Sequence, residues 1–420
     1  MEKEAPILVI GAGTFGLSTA YHFAKAGFSD ITVLEKSAAV PPVESAGNDL
    51  NKIIRAEYED PFYAELALQA IQAWKTPLFA PYYHETGYLL ANSTKAPEKA
   101  KRTLLKSLGS IQQHPAFKGK ISPIEKRGDI SEIAPVFDGP MEWKGYFNRF
   151  AGYAHSADAL TAVYSACCAL GVKFCVGDAV KYLTYGPTKD RCTGAVTISG
   201  KTHTAAVTVL TLGAALATVL PEVGRQVAAN AWAVAHVQLT PDEAQKLRGI
   251  PVTYARDLGF FFEPDLRTNL LKLCPSGAGY TNFSGGPNGT LSVPPSFSGF
   301  VTPADEEKIR KLLRETLPGL AERPLINKHL CWCADTADSE YIIDFVPGKS
   351  NLIVASGDSG HAFKMLPIAG QWIVELAKAG KQEKSRWRWK QGQDAAGDVS
   401  WRIGRPVDLR DVPLSVKSKL

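Results

Sequence analysis

Three glycines near the start of the chain, Gly11, Gly13 and Gly16, have the spacing of a nucleotide-binding turn. An apolar run, residues 7–10, precedes them and an apolar-periodic segment follows. The first glycine permits a tight turn, the second lets the backbone approach a diphosphate, and the third allows close packing of helix on strand. The diphosphate would lie at a helix N-terminus, where free N–H groups favour negative charge.

A second apolar run, residues 31–34, ends in Glu35, at about the offset expected for an acid that accepts hydrogen bonds from ribose hydroxyls. Because both strands and the acid accompany the turn, the pattern predicts a dinucleotide site rather than a fortuitous Gly-rich turn. A carboxylate at this position disfavours a 2′-phosphate, so FAD or NAD is expected in preference to NADP.

Near the other end of the chain, a short apolar strand, residues 352–355, leads into a second turn that contains Gly357, Gly360 and His361. This turn can aim backbone N–H groups at a second electron-rich edge of the cofactor. An extended FAD is held at both ends, whereas an NAD enzyme needs no second turn of this kind. The pair of turns therefore favours FAD, and we expect an apolar helix from the second turn to about residue 379.

The composition excludes several classes of function. A net charge of +5, from 47 basic and 42 acidic residues among 420, is too mild to indicate nucleic acid binding. We find no run of 18 apolar residues that could span a membrane and no signal-peptide pattern. The seven cysteines are odd in number, so we expect no disulfide framework, and the Cys331-Trp332-Cys333 spacing predicts no structural metal.

The last three residues, Ser418-Lys419-Leu420, match the address that the peroxisomal import receptor reads at a free C-terminus. A loose polar tail from Val412 onward suits access by that receptor. We therefore expect a peroxisomal protein, with an incidental tail as the alternative.

The periodicity predicts helices at residues 61–74, 96–110, 156–171 and 303–317. Residues 191–213 resemble a hairpin with arms at 192–198 and 202–212, and the aromatic-rich section 228–285 alternates as antiparallel strands do. We expect an α/β (α+β) two-domain fold. A Rossmann-like FAD-binding domain would comprise 1–80, 146–218 and 325–385, an inserted antiparallel-sheet substrate domain 81–145 and 219–324, and a polar C-terminal tail 386–420.

Four segments together resemble a known family: GAGTFG…LEK (11–36), SAGNDLNKIIRAEYEDP (45–61), LCWCADTADSEYIID (330–344) and SGDSGHAFKMLPIAG (356–370). They are similar to fungal FAD-dependent amine oxidases of the monomeric sarcosine oxidase and amadoriase (fructosyl amino acid oxidase) group, which includes saccharopine and pipecolate oxidases. The resemblance covers nearly the whole chain. It implies the sarcosine-oxidase-like fold, transfer of substrate electrons to oxygen with formation of hydrogen peroxide, and a monomer.

The resemblance also implies the chemistry of individual residues. Cys331 lies where the family attaches its flavin through a thioether to the 8α-methyl group, and it is favoured over Cys333. The alternative for Cys331 is a buried structural cysteine. Lys272 matches the lysine that activates oxygen above the flavin ring, where a fixed cation stabilises developing superoxide. A surface lysine is the alternative for Lys272, although two leucines flank it in a predicted strand.

Two further cations match the residues that bind the substrate carboxylate in the family. Lys364 follows His361 by three residues, and Arg55 matches the arginine that shares the role. A surface ion pair of Arg55 with Glu57 or Glu59 is the alternative. Tyr58 and His361 are candidates to line the pocket.

The remaining predicted cofactor contacts come from the matched motifs. Lys52 aligns with a second basic position near the flavin. The other cofactor-binding positions are Thr14, Phe15, Lys36, Ser45 and Lys364, together with the glycines, Glu35 and His361 named above.

The chain departs from the family pattern at two positions. Amadoriases carry a glutamate shortly after the oxygen-activating lysine, used for the sugar-derived part of the substrate, but Ser276 stands here. We keep Ser276 as a substrate-binding candidate, while the change weakens a fructosyl amino acid interpretation. The usual Gly-Ala-Trp is Gly213-Ala214-Ala215, so an indole beside the cofactor is missing and the site is reshaped.

The sequence predicts an oxidoreductase that acts on the CH–NH group of a secondary-amine amino acid, with oxygen as acceptor. N-methyl amino acids, pipecolate and saccharopine fit this expectation. A fructosyl amino acid oxidase is the alternative within the family. An NAD-linked dehydrogenase and a non-catalytic flavin-binding protein are the alternatives from other classes.

Overall fold

The computed structural model describes residues 1–283, 289–390 and 402–412. Within these ranges, the helices predicted at 61–74, 96–110, 156–171 and 303–317 are all present, whereas those at 127–133 and 241–246 were not predicted. In chain order the α-helices are α1 Thr14–Lys25, α2 Pro61–Trp74, α3 Glu98–Gln112, α4 Arg127–Ile133, α5 Ser156–Ala169, α6 Leu216–Val219, α7 Pro241–Lys246, α8 Pro303–Thr316 and α9 Ala369–Ala379.

The β-strands of the described residues divide among four sheets. In chain order they are β1 Ile7–Ile10, β2 Ile31–Glu35, β3 Lys52–Ile54, β4 Tyr83–His84, β5 Tyr88–Asn92, β6 Ile121–Ile124, β7 Lys144–Asn148, β8 Gly152–Ala154, β9 Lys173–Val176, β10 Val180–Tyr185, β11 Cys192–Thr197, β12 Thr202–Thr204, β13 Val207–Leu210, β14 Ala228–Gln238, β15 Val252–Ala255, β16 Gly259–Phe261, β17 Leu270–Pro275, β18 Tyr280–Thr281, β19 Leu325–Asp335, β20 Ile342–Phe345, β21 Leu352–Ser356 and β22 Val407–Asp408.

A mainly parallel sheet forms the centre of the nucleotide-binding part, in the order β20-β21-β13-β1-β2-β9. Strands β1, β13 and β21 are buried along their whole length, as expected for parallel strands covered on both faces. Helix α1 packs against both α5 and α9. Because β1, α1 and β2 form one βαβ unit, the Gly-rich turn lies at the carboxyl edge of this sheet.

The predicted hairpin at residues 191–213 is only half right. Strand β12 pairs with β11 as expected, but β13 leaves the hairpin and lies between β1 and β21 in the parallel sheet. Residues 207–210 are completely buried and lack the polar alternation of a two-faced hairpin arm. A continuous apolar run of this kind suits a parallel strand covered on both faces.

The second large sheet has the order β22-β18-β14-β17-β16-β15-β5-β7-β6, and β19 also pairs with β14. Helix α8 covers one face through Ile309, Leu312 and Leu313. The other face contributes Tyr88, Tyr146 and other side chains to the core that is shared with the parallel-sheet part. This antiparallel middle section was expected from the sequence.

The ranges proposed for the two domains remain a prediction. Strand β19, residues 325–335, lies in the large sheet, although the sequence analysis places it with the FAD-binding segments. The polar tail begins with a tightly packed residue, because Trp387 is fully buried and its ring centroid lies 4.7 Å from that of Trp372. The expected import tripeptide, residues 418–420, lies outside the described residues.

Two properties of the described residues bear on the classes considered above. None of their helices combines the length and the apolar character needed to cross a membrane. The same ranges hold no group of three or more His, Cys, Asp and Glu side chains placed to bind a metal ion. All seven cysteines are described, and each is a free thiol.

A glycine at the contact between α1 and α9 gives a stability prediction. A Cβ at Gly370 would lie 1.9 Å from the backbone oxygen of Ser18, so the two helices would have to separate. We expect Gly370→Ala to lower the free energy of unfolding by about 2 kcal/mol, as measured by urea denaturation.

The matched control is Gly109→Ala in α3, where a Cβ would meet nothing within 4 Å. Because alanine favours the helix, this change should raise the free energy of unfolding by about 0.5 kcal/mol. Equal effects of the two substitutions would contradict the packing argument.

Candidate active site

The Gly-rich turn has the tight geometry that the motif requires. Gly11 has a φ of +105°, and a Cβ there would lie 2.6 Å from the backbone oxygen of Thr211. A Cβ at Gly16 would lie 1.8 Å from the oxygen of Gly11, so only glycine lets α1 start at this point. At Gly13 a Cβ would lie 3.1 Å from Ser45 Oγ, which brings Ser45 to the mouth of the turn.

Glu35 ends β2 beside this turn, and its carboxylate is held by two backbone N–H groups. Ala12 donates to Oε2 at 2.9 Å and Ser37 donates to Oε1 at 2.8 Å. The buried side chain is thereby fixed in orientation, with acceptor capacity left for the ribose hydroxyls of a nucleotide.

Three other predicted cofactor contacts surround the turn. Thr14 begins α1, and Phe15 packs edge-on against the Tyr341 ring with 5.8 Å between centroids. Lys36 lies at the surface and pairs with Glu44.

Cys331 lies on β19 next to two groups that stabilise its thiolate. The thiol of Cys333 donates a hydrogen bond to it, and Lys52 Nζ lies 3.6 Å from its sulfur. These contacts outweigh burial and lower the pKa of Cys331 to about 5. The same hydrogen bond and burial raise the pKa of Cys333 well above its usual range. Of the two cysteines, Cys331 is therefore the one whose thiolate form is stabilised.

Lys272 is buried on β17 and paired with Asp49, which the sequence analysis did not single out. Lys272 Nζ lies 2.5 Å from Asp49 Oδ2 and 2.7 Å from the backbone oxygen of Asn51. Lys52 Nζ reaches the same Asp49 oxygen at 2.7 Å. Burial would raise the pKa of Asp49, but the two ammonium groups outweigh it and lower that pKa. The surface alternative for Lys272 is wrong.

Asn51 is a second residue that the sequence analysis missed. Its side chain is fully buried, yet neither its amide nitrogen nor its amide oxygen has a hydrogen-bond partner among the described residues. Buried amides are nearly always satisfied, so these atoms are placed for a polar ligand. Its position between Asp49 and Lys52 in a matched motif is the signal that was available.

Asp49, Lys52, Lys272 and Cys331 form a first cluster of side chains. A second cluster lies around residues 55–58, at the other end of the segment that starts at Asp49. Lys364 Nζ donates to Tyr58 Oη at 2.8 Å and to the backbone oxygen of His361 at 3.0 Å. Tyr58 Oη lies 3.1 Å from His361 Nδ1, and Arg55 lies over the Tyr58 ring at 5.3 Å. The structure therefore brings the predicted substrate-binding residues Arg55, Tyr58, His361 and Lys364 together.

The charges of this cluster depend on burial. Burial and the neighbouring Lys364 lower the pKa of His361 to about 3, so its imidazole is neutral. Its Nε2 lies 2.8 Å from the Ser339 oxygen, which assigns the proton to Nε2 and leaves Nδ1 as an acceptor, with the Tyr58 and Tyr341 hydroxyls 3.1 Å and 3.0 Å away. Burial and then Arg55 lower the pKa of Lys364 well below its usual range.

The surface ion pair considered for Arg55 is not formed. Glu59 pairs with Lys106 at 3.7 Å, and Glu57 is buried and accepts a hydrogen bond from Asn148 at 2.7 Å. Burial raises the pKa of Glu57. Arg55 instead lies among the rings of Tyr58 and Tyr88, so it faces the interior.

The second Gly turn differs from the prediction. Gly357 and Gly360 both have a φ of +74°, as a tight turn requires. No α-helix follows directly among the described residues, because Phe363–Met365 forms a 3-10 turn and α9 begins only at Ala369. Lys364 therefore lies in the 3-10 turn rather than in the apolar helix, which directs its side chain toward Tyr58.

Ser276 follows β17 directly and lies on the same face as Lys272 and Cys274, because side chains of a strand alternate. Its buried hydroxyl has no hydrogen-bond partner among the described residues, while its backbone oxygen accepts from Lys308 Nζ at 2.8 Å. A neutral hydroxyl therefore stands where the related amadoriases were expected to carry an acid.

These residues fit a bound FAD. The glycine cradle and Glu35 suit the diphosphate and ribose of the adenine nucleotide. The Asn51 amide, without a partner among the described residues, lies next in sequence to Lys52, which contacts the Cys331 sulfur. The site thus defines a class of protein: residues 6–376 match the family described as FAD dependent oxidoreductase, and the chain belongs to that family.

The chain is 34% identical to L-saccharopine oxidase from Schizosaccharomyces pombe, over 96% of this chain and 98% of that one. It is 24% identical to monomeric sarcosine oxidase from Arthrobacter, over 91% and 95% of the two chains. The fructosamine oxidase Amadoriase II from Aspergillus fumigatus superposes with a TM-score of 0.89 at 35% identity, over 98% and 97%. The expected family resemblance and fold class are confirmed.

The position of Lys52 gives a prediction for the cofactor-free full-length chain. Lys52→Met removes the cation nearest the sulfur, so the pKa of the Cys331 thiol should rise from about 5 toward the ordinary value of a free cysteine, near 8.5. This pKa is measured from the pH dependence of alkylation by iodoacetamide, with the modified Cys331 peptide quantified by mass spectrometry.

Lys36→Met, which removes an exposed lysine paired with Glu44, is the control and should leave the profile unchanged. A Lys52→Met profile that coincides with the wild type would contradict the electrostatic role of Lys52.

Proposed function

We propose that the protein is an FAD-dependent oxidase of a secondary-amine amino acid. The carrying observation is the pair of basic side chains at the second cluster, of which Lys364 is buried and Arg55 half-buried. Neither Arg55 nor Lys364 has an ion-pair partner within 4 Å among the described residues, and Lys364 contacts only neutral oxygens. Two neighbouring cations with no carboxylate within ion-pair distance in the described part of the chain would bind the carboxylate of a substrate.

Arg55 and Lys364 would hold that carboxylate and thereby fix the neighbouring C–H bond in one orientation. The same two cations and burial lower the pKa of the substrate amine, so the amine binds in its neutral form and needs no separate base. FAD, when bound, takes the hydride equivalent from the C–H bond and passes its electrons to oxygen, which gives an imine and hydrogen peroxide. Water then hydrolyses the imine to an aldehyde and an amine.

Two residues of the first cluster serve the oxygen half of the reaction. Lys272 provides a fixed buried cation that stabilises negative charge as oxygen is reduced. Cys331 carries the flavin through a thioether to the 8α-methyl group. Its lowered pKa and its contact with Lys52 support this assignment.

The substrate belongs to the N-methyl amino acid, pipecolate or saccharopine type. The similarity to L-saccharopine oxidase supports this choice. Fructosyl amino acid oxidation is the second candidate, because fructosyl peptide oxidase from E. terrenum also superposes, with a TM-score of 0.90. The neutral hydroxyl of Ser276 weighs against a fructosyl substrate.

The proposal includes a location and a state of assembly. The tripeptide Ser418-Lys419-Leu420 would direct the protein to the peroxisome through the import receptor. A relative named peroxisomal sarcosine oxidase, from Mus musculus and 24% identical over 88% of this chain, supports this location. Relatives named monomeric sarcosine oxidase support a monomer.

Anaerobic bleaching of the flavin absorbance tests the reaction class. The panel contains sarcosine, N-methyl aromatic amino acids, L-pipecolate, L-saccharopine and fructosyl-valine. We expect rapid bleaching by a secondary amino acid and none by the corresponding amide, which lacks the carboxylate for Arg55 and Lys364. Bleaching by fructosyl-valine alone would select the second candidate, and an intact flavin that no compound bleaches would contradict the amine oxidase proposal.

The attachment site has a separate test in acid-precipitated protein. Cys331→Ala should release all of the flavin into the supernatant, whereas Cys333→Ala should retain it on the polypeptide, because only the Cys331 thiol is activated as a thiolate. Flavin fluorescence of the pellet and supernatant measures the partition. The reverse result would move the attachment site to Cys333.

A further inference from the structure

Asp49 connects two parts of the site that the family chemistry treats separately. A single carboxylate oxygen, Oδ2, contacts both Lys272, at 2.5 Å, and Lys52, at 2.7 Å. Lys52 in turn lies 3.6 Å from the Cys331 sulfur. The attachment thiol and the proposed oxygen-activating lysine are therefore linked through two contacts and one shared carboxylate.

The carboxylate itself is fixed by the surrounding backbone. Its other oxygen, Oδ1, accepts from the N–H of Leu50 at 2.7 Å. The backbone oxygen of Asp49 accepts from Ser156 Oγ at 2.6 Å and from the N–H of Ala157 at 3.0 Å, at the start of α5. These hydrogen bonds hold the Asp49 carboxylate in one position, which in turn sets the positions of the two lysine ammonium groups.

The four groups in contact are electrically balanced before the flavin is attached. Lys52 and Lys272 carry two positive charges, while Asp49 and the Cys331 thiolate carry two negative charges. Among the other titratable groups nearby, His236 lies opposite Lys272 on β14, where burial and Lys272 lower its pKa to about 4, so it is neutral.

The remaining titratable groups that face the cluster pair with neither lysine in the described part of the chain. Burial raises the pKa of Cys274 to about 12, so it stays a thiol. Cys333 keeps its proton as the donor to Cys331. Asp358 lies beyond the two cysteines and accepts from the N–H groups of Ala334 and Gly360, at 2.7 Å and 3.1 Å.

We propose that Asp49 is a positioning residue shared by the attachment and oxygen sites, and that attachment of the flavin converts this balanced cluster into one with an excess positive charge beside the oxygen site. The inference rests on the proposed function of Cys331 and Lys272. Thioether formation consumes the thiolate charge, so Lys52 and Lys272 then share Asp49 alone. The surplus cation is available to stabilise negative charge on reduced oxygen.

The attachment step balances with oxygen as the final oxidant. A bond forms between Cys331 Sγ and the 8α carbon, and one methyl C–H bond breaks. The electron pair of that bond reduces the flavin. Oxygen then accepts both electrons and, with two protons, leaves as hydrogen peroxide.

The test compares full-length Asp49→Asn, Asp49→Glu and Lys272→Met with the wild type in two measurements. The first follows the rate of flavin attachment against pH, as fluorescence of the denatured polypeptide after FAD is added. The second follows reoxidation by oxygen after anaerobic reduction with dithionite. Neither measurement needs an amine substrate, so a failure of the substrate proposal stays distinguishable from a failure of this inference.

In Asp49→Asn, Lys52 no longer pairs with a carboxylate and stabilises the Cys331 thiolate more strongly. The pH midpoint of attachment should therefore fall by about one pH unit. Reoxidation should slow at least about tenfold, because the loss of the contact that positions Lys272 outweighs the added positive charge. Asp49→Glu should recover part of both properties. Lys272→Met should slow reoxidation without lowering the midpoint.

Asp305→Asn removes a buried carboxyl that is hydrogen-bonded to Tyr280, outside the cluster, and it should change neither measurement. An unchanged midpoint and an unchanged reoxidation rate in Asp49→Asn would overturn the proposal. If Asp49→Asn does not accumulate, Asp49→Glu is compared with Asp305→Glu. A change in the pH midpoint of attachment and in the reoxidation rate that occurs in Asp49→Glu but not in Asp305→Glu supports the proposal. Equal midpoints and equal rates in the two variants overturn it.

Discussion

The ion pairs of Asp49 are the interaction on which the site depends. A buried ammonium group without a counter-ion costs several kcal/mol, because it loses its hydration. Lys52 and Lys272 are both held in the interior because one carboxylate oxygen contacts both of them. The start of α5 in turn holds Asp49, so the parallel-sheet part of the fold fixes a lysine that belongs to the large sheet.

The segment from Asp49 to Tyr58 gives the two clusters their spacing. The short strand β3 lies in its middle and pairs with β8, which prevents the segment from sliding. Lys52, at the start of the strand, contacts the Cys331 sulfur, while Arg55, just after its end, lies over the Tyr58 ring. One continuous stretch of backbone therefore relates the cofactor attachment point to the substrate cations.

Local patterns predicted the parts of the fold that depend on neighbours in sequence. The turn at Gly11 to Gly16 and helix α2 followed from spacing, because their geometry is set within a few residues. The destination of β13 did not, because its pairing with β1 and β21 joins residues far apart in the chain. The 3-10 turn at Lys364 was also missed, since an apolar periodicity does not reveal where a helix starts.

Contacts between residues far apart in the chain also limited what the sequence could predict about the site. Motif positions identified the reactive types, Cys331, Lys272, Arg55 and Lys364, and the structure brings them into two clusters. Asp49 was missed because a carboxylate in a polar loop is ordinarily solvated, and only the fold reveals that two distant lysines share it. Asn51 was recognised only because its buried amide has no partner within the described ranges, which no sequence pattern records.

The two clusters place the same residue type in opposite electrostatic situations. Burial lowers the pKa of both Lys52 and Lys364, but Asp49 reverses the effect at Lys52, whereas Arg55 adds to it at Lys364. A carboxylate bound between Arg55 and Lys364 would do for Lys364 what Asp49 does for Lys52, and would raise its pKa. A bound carboxylate would therefore favour the charged form of Lys364, in which it acts as a cation beside Arg55.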